Sequence, residues 1–255
     1  MNVLFYLDHS VKSGFGGIEH ATAQVAHAMA EEECKCYYAY RVPQLNDNQD
    51  GEDVIFCDNI YVQDINHDRQ FLSQKLKEWE IDVVIIQSVF DESILVWRSL
   101  LNELDRPSKL FYAYHYNPGS EYDYLRGLNL SVKSLISRIR WRRYVKRIYN
   151  TIWRTADKIV VLSNNHISTW MKLSSADSPD KFVVIPNMNS FEHAIEIEDL
   201  PKKEKIVLIV SRLSEHEKKI SKLLKVWKHI EKDSKFNDWK LVIVTLKFRL
   251  KINQN

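Results

Sequence analysis

The sequence predicts an α/β protein built on parallel sheets, and three observations carry this reading. Short apolar, β-branched runs alternate with helical patterns along most of the 255 residues, as repeated strand–helix–strand units require. One run, Val83-Val84-Ile85-Ile86, is continuously apolar, which fits a strand covered on both faces. The composition, 45% hydrophobic against 27% charged with a net charge of +2, supplies core material for one large domain or two small ones.

The elements follow in order. Asn2 to Leu7 is a short buried strand. A helix opens at Gly16-Gly17 and runs to Glu32, with Ile18, Ala21, Val25, Ala28 and Met29 on one face. Lys35 to Val42 is the second strand, and Val54 to Val62 holds one or two strands around Cys57. Helices are expected over Asp68 to Trp79 and Glu92 to Leu104, with strands over Asp82 to Gln87 and Lys109 to His115. A long helical region precedes a strand at Lys158 to Leu162, a helix at Asn164 to Leu173 with Ser163 as N-cap, and a strand at Lys181 to Ile185. Residues 1–188 thus read as one domain and 189–204 as an irregular linker containing Pro201. A second, incomplete domain follows over 205–255, with strands at Lys205 to Val210 and Trp239 to Thr245 around a helix at Glu217 to Lys232. Two strands and one helix do not cover both faces of a parallel sheet.

Several classes are excluded. Three cysteines, Cys34, Cys36 and Cys57, do not make a disulfide scaffold and fit a reducing compartment. No apolar run approaches the roughly 20 residues of a membrane span, and Met1 to Asp8 lacks the layout of a signal peptide. A cytoplasmic protein is expected. Cys34 and Cys36 lack a second ligand pair at zinc spacing, and no Asp-x-Asp occurs, so no metal site is expected.

Four segments carry chemistry. Ser13-Gly14-Phe15-Gly16-Gly17-Ile18-Glu19 is a glycine-rich turn feeding a helix start, where free N–H groups and the positive dipole end suit a phosphate. A tight connection with no ligand explains it equally well. A dinucleotide fingerprint needs glycine where Glu19 stands, which removes the nicotinamide-dependent oxidoreductase reading. His115 ends a strand at the sheet edge where α/β ligands sit, and is either a substrate-contacting group or a loop histidine bonded to backbone.

Residues 128–154 carry eight basic residues and no acidic one. Val132, Leu135, Ile136 and Ile139 share one face, while Trp141, Val145, Ile148, Tyr149 and Ile152 share another. This phase break predicts two helices meeting near Arg140-Trp141. Arg140, Arg142, Arg143, Lys146 and Arg147 then form a basic face with aromatic neighbours, suited to an anionic membrane surface or acceptor. A merely solvated face is the plainer account, and nucleic acid ranks below both because no binding module accompanies the charge. Finally, Arg212 follows a strand and Lys218 stands six residues on, at a helix start. The two are either a diphosphate clamp or ordinary surface charges.

In this order and spacing, five segments resemble glycosyltransferase family 4, the retaining enzymes of GT-B fold. They are Gly16-Gly17-Ile18-Glu19, Tyr114-His115, Val160-Val161-Leu162-Ser163, Lys181 to Asn187, and Val210-Ser211-Arg212-Leu213-Ser214. The match runs to about Val244. The resemblance implies two Rossmann-like domains, an N-terminal one for the acceptor and a C-terminal one for a nucleotide-diphospho-sugar, with no metal required. Gly16 and Gly17 would line the cleft by the donor phosphates, and His115 would contact the transferred sugar. Arg212 and Lys218 would hold the diphosphate and stabilise the leaving group. Lys219 stands where the family often has glycine, and Lys218 is taken as the clamp. Transfer to a glycan or lipid-linked acceptor in surface polysaccharide or lipopolysaccharide synthesis is implied, with residues 128–154 where related enzymes meet membranes. The expected location is then cytoplasmic and peripheral on the inner membrane face. From Thr245 the sequence lacks the glycines and acidic residues that the family uses to complete its donor domain, so a truncated donor site is expected. A non-catalytic membrane-surface or acceptor-binding module is the alternative.

Overall fold

The computed structural model describes residues 1–11, 16–42, 56–122, 131–188, 196–211 and 218–245. The chain divides into two compact units, Met1–Ser190 and Phe191–Asn255.

The first unit is a seven-stranded sheet with every neighbouring pair parallel, in the order β3-β2-β1-β4-β5-β6-β7. The strands are β1 (Asn2–His9), β2 (Lys35–Val42), β3 (Phe56–Tyr61), β4 (Val83–Gln87), β5 (Lys109–Tyr114), β6 (Lys158–Val161) and β7 (Phe182–Val184). The helices are α1 (Gly17–Glu31), α2 (Arg69–Glu78), α3 (Ser93–Asn102), α4 (Val132–Thr155) and α5 (Asn164–Ser174). The expected strands and shorter helices are present, with ends shifted by at most two residues. Of Val54 to Val62, the described residues hold one strand, β3, and Ser163 does cap α5, accepting from the Asn165 N–H.

Alternation along β1 feeds two cores. Leu4 and Tyr6 join a cluster with Leu72, Trp97, Ile148 and Trp170, whereas Val3, Phe5 and Leu7 pack with Ala26 and Tyr38 on the opposite side. All five strand residues are 0–1% exposed, which explains why the run reads as continuously apolar. Each fully buried aromatic or leucine contributes about 1.5–3 kcal/mol of transfer free energy.

The expected pair of helices over 128–154 is corrected. α4 is one uninterrupted helix of 24 residues, started by a capping box between Ser131 and Ser134. No glycine or proline interrupts it. The phase break in the apolar pattern therefore marks a change in which face is covered. Val145, Ile148, Tyr149 and Ile152 are fully buried, while Leu135, Ile136 and Ile139 are exposed.

The second unit has β8 (Ile206–Val210) paired in parallel with β9 (Lys240–Val244), and the helix α6 (Ile220–Ile230) between them in sequence. A 3-10 helix, Ile197–Lys202, precedes β8 in the stretch expected to be irregular.

Candidate functional site

The sheet order reverses between β1 and β4. In open α/β sheets this switch point opens a crevice at the C-terminal strand ends, where ligands bind. His115 follows β5, next to β4 on this edge. Its ring is held from both sides: Nε2 lies 2.6 Å from Gln87 Oε1 and Nδ1 lies 3.3 Å from Asn187 Oδ1. Its backbone N–H donates to Ser88 Oγ at 2.8 Å, and the Ser88 hydroxyl donates on to Ala113 O. Ser88 adopts φ +56, a left-handed conformation that is strained for a side-chain-bearing residue. The ends of β4, β5 and β7 thus converge on one imidazole.

Burial pushes His115 below the usual histidine value, and the Asn187 contact offsets part of that. The neutral ring carries one proton. The shorter contact, to a glutamine that is 4% exposed, places it on Nε2, with Gln87 Oε1 accepting. Both ring nitrogens thus face amide oxygens, and the neutral ring donates to Gln87 while only a protonated ring also donates to Asn187 Oδ1.

The loop after His115 is anchored to α4. Gly119 takes φ +88, and its N–H donates to Tyr149 Oη at 2.9 Å. Tyr149 and Tyr114 both donate to the Glu121 carboxylate, and Trp141 Nε1 donates to Glu121 O at 2.8 Å. Burial, reinforced by the neighbouring carboxylate, pushes both tyrosines far above their ordinary range, so they stay protonated donors.

Gly16 and Gly17 start α1 on the same sheet edge. Gly16 is the N-cap in an extended conformation. A Cβ there would lie 2.3 Å from Glu19 Oε2, whereas one on Gly17 would meet nothing within 4 Å. The carboxylate of Glu19, buried at 6% exposure, therefore folds over Gly16, and Gly17 has no steric reason to be glycine. Gly14 lies outside the described residues.

Sequence reasoning missed a second cluster at the switch point. Arg41, ending β2, bonds Asp8 of β1 through Nε at 2.8 Å and Nη2, and Asp91 beyond β4 through Nη1. Burial pulls the guanidinium pKa down, but the two carboxylates outweigh it and raise the value above the ordinary one. Positions 8, 41 and 91 share no motif, so only the parallel register of β1 with β2 and β4 brings them together.

Lys218 is exposed at the approach to α6, and Lys219 caps that helix with φ +50. That left-handed value is one glycine adopts far more readily than a lysine. Arg212 lies outside the described residues. Arg140, Arg142, Arg143, Lys146 and Arg147 are all exposed on α4, and an open hollow is lined by Arg143, Lys146, Arg147, Asn150, Thr151 and Arg154.

No protein-family model and no curated protein sequence matches this chain. Solved structures do. The chain is similar to the lipopolysaccharide outer core galactosyltransferase WaaB (TM-score 0.60, 18% identity), over 95% of this chain and 60% of that one. It is similar to HepE of Anabaena, solved with UDP-glucose (TM-score 0.57, 13% identity), over 96% of this chain and 69% of that one. It is also similar to a TarM variant of S. aureus, solved with UDP among its ligands (TM-score 0.60, 10% identity), over 98% and 73%. The fold is of the GT-B type. Its N-terminal Rossmann-like sheet is present with seven strands, and the second Rossmann-like unit is present in part. At these identities the likeness establishes the GT-B architecture, and the chain spans about 60% of the length of WaaB.

Proposed function

We propose that this chain is a glycosyltransferase of the retaining family 4 type, which moves a sugar from a nucleotide-diphospho-sugar to a glycan or lipid-linked acceptor in surface polysaccharide or lipopolysaccharide synthesis. The observation that carries the reading is the GT-B likeness to a galactosyltransferase along 95% of the chain. HepE and the TarM variant, solved with UDP-glucose and UDP, support a nucleotide-sugar donor. In this reading residues 1–188 serve the acceptor, 189–204 link, and 205–255 belong to the donor side. His115 contacts the transferred sugar. Gly16 and Gly17 approach the donor phosphates. Arg212 and Lys218 hold the diphosphate, so that negative charge developing on the leaving group meets fixed cations. The protein works on the cytoplasmic side, peripheral to a membrane.

The test is release of nucleoside diphosphate by the full chain from a panel of nucleotide-diphospho-sugars, with binding followed in parallel by ligand-observed NMR. Binding is expected to weaken in Arg212→Ala and Lys218→Ala, and turnover, where a complete donor site supports it, to be lost in His115→Ala, Arg212→Ala and Lys218→Ala. Unchanged turnover in these variants overturns the assigned roles.

A second reading, a non-catalytic acceptor-binding or membrane-surface module, is favoured by one observation. Among the described residues, no position of β8, α6 or β9 is fully buried. Absence of binding by every nucleotide-sugar and by UDP would select it.

A further inference from the structure

We propose that the ion-paired cluster Asp8–Arg41–Asp91 is a binding site for an uncharged, hydroxyl-rich sugar residue of the acceptor, and that it rejects phosphate and carboxylate at this point. The inference rests on the transferase reading above only for the word acceptor, and it names the chemistry that reading leaves open.

The argument starts from which polar atoms are used and which are left. Arg41 spends three N–H groups, Nε and Nη2 on Asp8 Oδ1 and Nη1 on Asp91 Oδ2. Asp91 Oδ1 accepts from the Ser93 N–H at 2.8 Å. A guanidinium carries five N–H groups and a carboxylate accepts at both oxygens. Among the described residues, two N–H groups of Arg41 and Oδ2 of Asp8 are therefore left over. Both side chains reach solvent, Arg41 at 33% and Asp8 at 44% exposure. A donor and an acceptor are thus locked side by side by their own ion pair. That pattern fits two neighbouring sugar hydroxyls, one donating to the carboxylate and the other accepting from the guanidinium.

A second observation lies under the cluster. Tyr6 precedes Asp8 by two positions on β1, so both side chains leave the same face of the sheet. The Tyr6 hydroxyl sits in the fields of Arg41, Asp91 and Asp8. Tyr6 is 0% exposed and Ser93 7%, and neither hydroxyl has a hydrogen-bond partner. Trp97, one turn on from Ser93 in α3, meets the Tyr6 ring at 5.0 Å and leaves Nε1 unpaired as well. Buried polar groups are normally paired. Three unpaired ones beside one charged cluster mark a site whose hydrogen bonding is completed by a ligand that brings hydroxyls. At the rim, Tyr144 of α4 lies in the fields of Asp91, Glu92 and Arg41 and adds a phenol.

Charge selects among hydroxyl-bearing ligands. Two carboxylates face one guanidinium, and the adjoining pair, Glu92 with Arg147 at 3.1 Å, cancels. The site carries an excess negative charge, so an anionic group on the ligand is repelled while neutral hydroxyls are held.

The experiment is saturation-transfer NMR of the full chain with a panel of neutral methyl hexopyranosides and disaccharides, and with hexose phosphates. Transfer is expected to at least one neutral saccharide and to no phosphate. Asp8→Asn keeps the shape of the side chain, turns an acceptor into a donor, and should weaken the neutral ligand about tenfold or more. Tyr6→Phe should also weaken it, with the thermal midpoint held or raised because an unpaired hydroxyl is removed. Asp8→Asn/Asp91→Asn leaves the guanidinium in excess and should gain transfer to a hexose phosphate. Glu31→Gln, at the far end of α1, should change nothing. Circular dichroism reports whether Asp8→Asn folds, and Tyr144→Phe, at a half-buried position, carries the same test if it does not. No transfer to any neutral saccharide overturns the proposal. So does a hexose phosphate that binds the parent as well as the neutral sugars do, or saccharide binding that Asp8→Asn and Tyr6→Phe leave unchanged. Nucleotide-sugar binding that persists without saccharide binding sinks this site alone. Saccharide binding without any nucleotide-sugar binding leaves the site standing and sinks the transferase reading.

Discussion

Burial favours the neutral form of His115, and this has a measurable consequence. Burial lowers its folded-state pKa below the 6.5 of the free side chain. As pH falls through about 6.5, the unfolded chain takes up a proton that the folded ring resists. The unfolded state then binds more protons, so stability falls with pH in this window and is regained as pH rises above it. Urea denaturation of the parent and of His115→Gln between about pH 5 and 7 should show the parent losing stability relative to the variant toward the acid end. Parallel pH profiles would refute the assignment. The adjoining glycines separate structure from ligand contact in a different way. A Cβ at Gly17 meets open space at the start of a helix, so Gly17→Ala should leave the thermal midpoint unchanged or raise stability by up to about 1 kcal/mol. If the residue approaches a donor phosphate, the same variant should weaken nucleotide-sugar binding, and retained binding would leave Gly17 without a role. His115 was legible because it ends an apolar run. Gln87 and Asn187 were not, since they lie 28 and 72 positions away and reach it only through strand neighbours.

At the scale of elements, the strands were legible because burial on both faces leaves a run of β-branched residues with no polar interruption. α4 departs from its expected form because its first apolar stripe faces solvent, so a change of covered face in one helix has the same period pattern as two helices. Its actual hold on the fold lies in the second half, where Tyr149 ties the helix to the loop that follows β5. The Tyr149 hydroxyl accepts from Gly119 N–H, donates to Glu121 and lies 3.0 Å from Tyr114 Oη. Tyr149→Phe keeps the ring, with its edge-on contact to Trp170, and removes only these bonds. It leaves a loop amide and a carboxylate oxygen short of partners, which should cost about 1–3 kcal/mol. Denaturation should show that loss, and amide exchange at Gly119 should accelerate. A variant as stable as the parent, with Gly119 exchange unchanged, would show that the tyrosine serves packing alone.

For the whole molecule, the division into two units was visible in the irregular composition after Asn187, but the contrast between them belongs to packing. In the first unit Val84, Ile86, Leu110, Tyr112, Ile159 and Val161 are at 0% exposure on interior strands. In the second, Leu208 is 58% exposed and Val210 71%, on strands of the same apolar character. A parallel pair is stable when both faces are covered, and two strands alone are marginal in water. The hydrogen bonds of β8 and β9 should therefore open at much lower free energy than those of β1, β4 and β5. Hydrogen–deuterium exchange on the full chain should find residues 206–210 and 240–244 exchanging orders of magnitude faster than residues 83–87 and 109–114. Adding a nucleotide-sugar that binds the second unit should slow exchange there selectively, because a ligand that favours the folded form raises its opening free energy. Equal protection in the two sheets without ligand would mean that the exposed faces of β8 and β9 are covered in solution, with self-association of the chain the first explanation to test by light scattering.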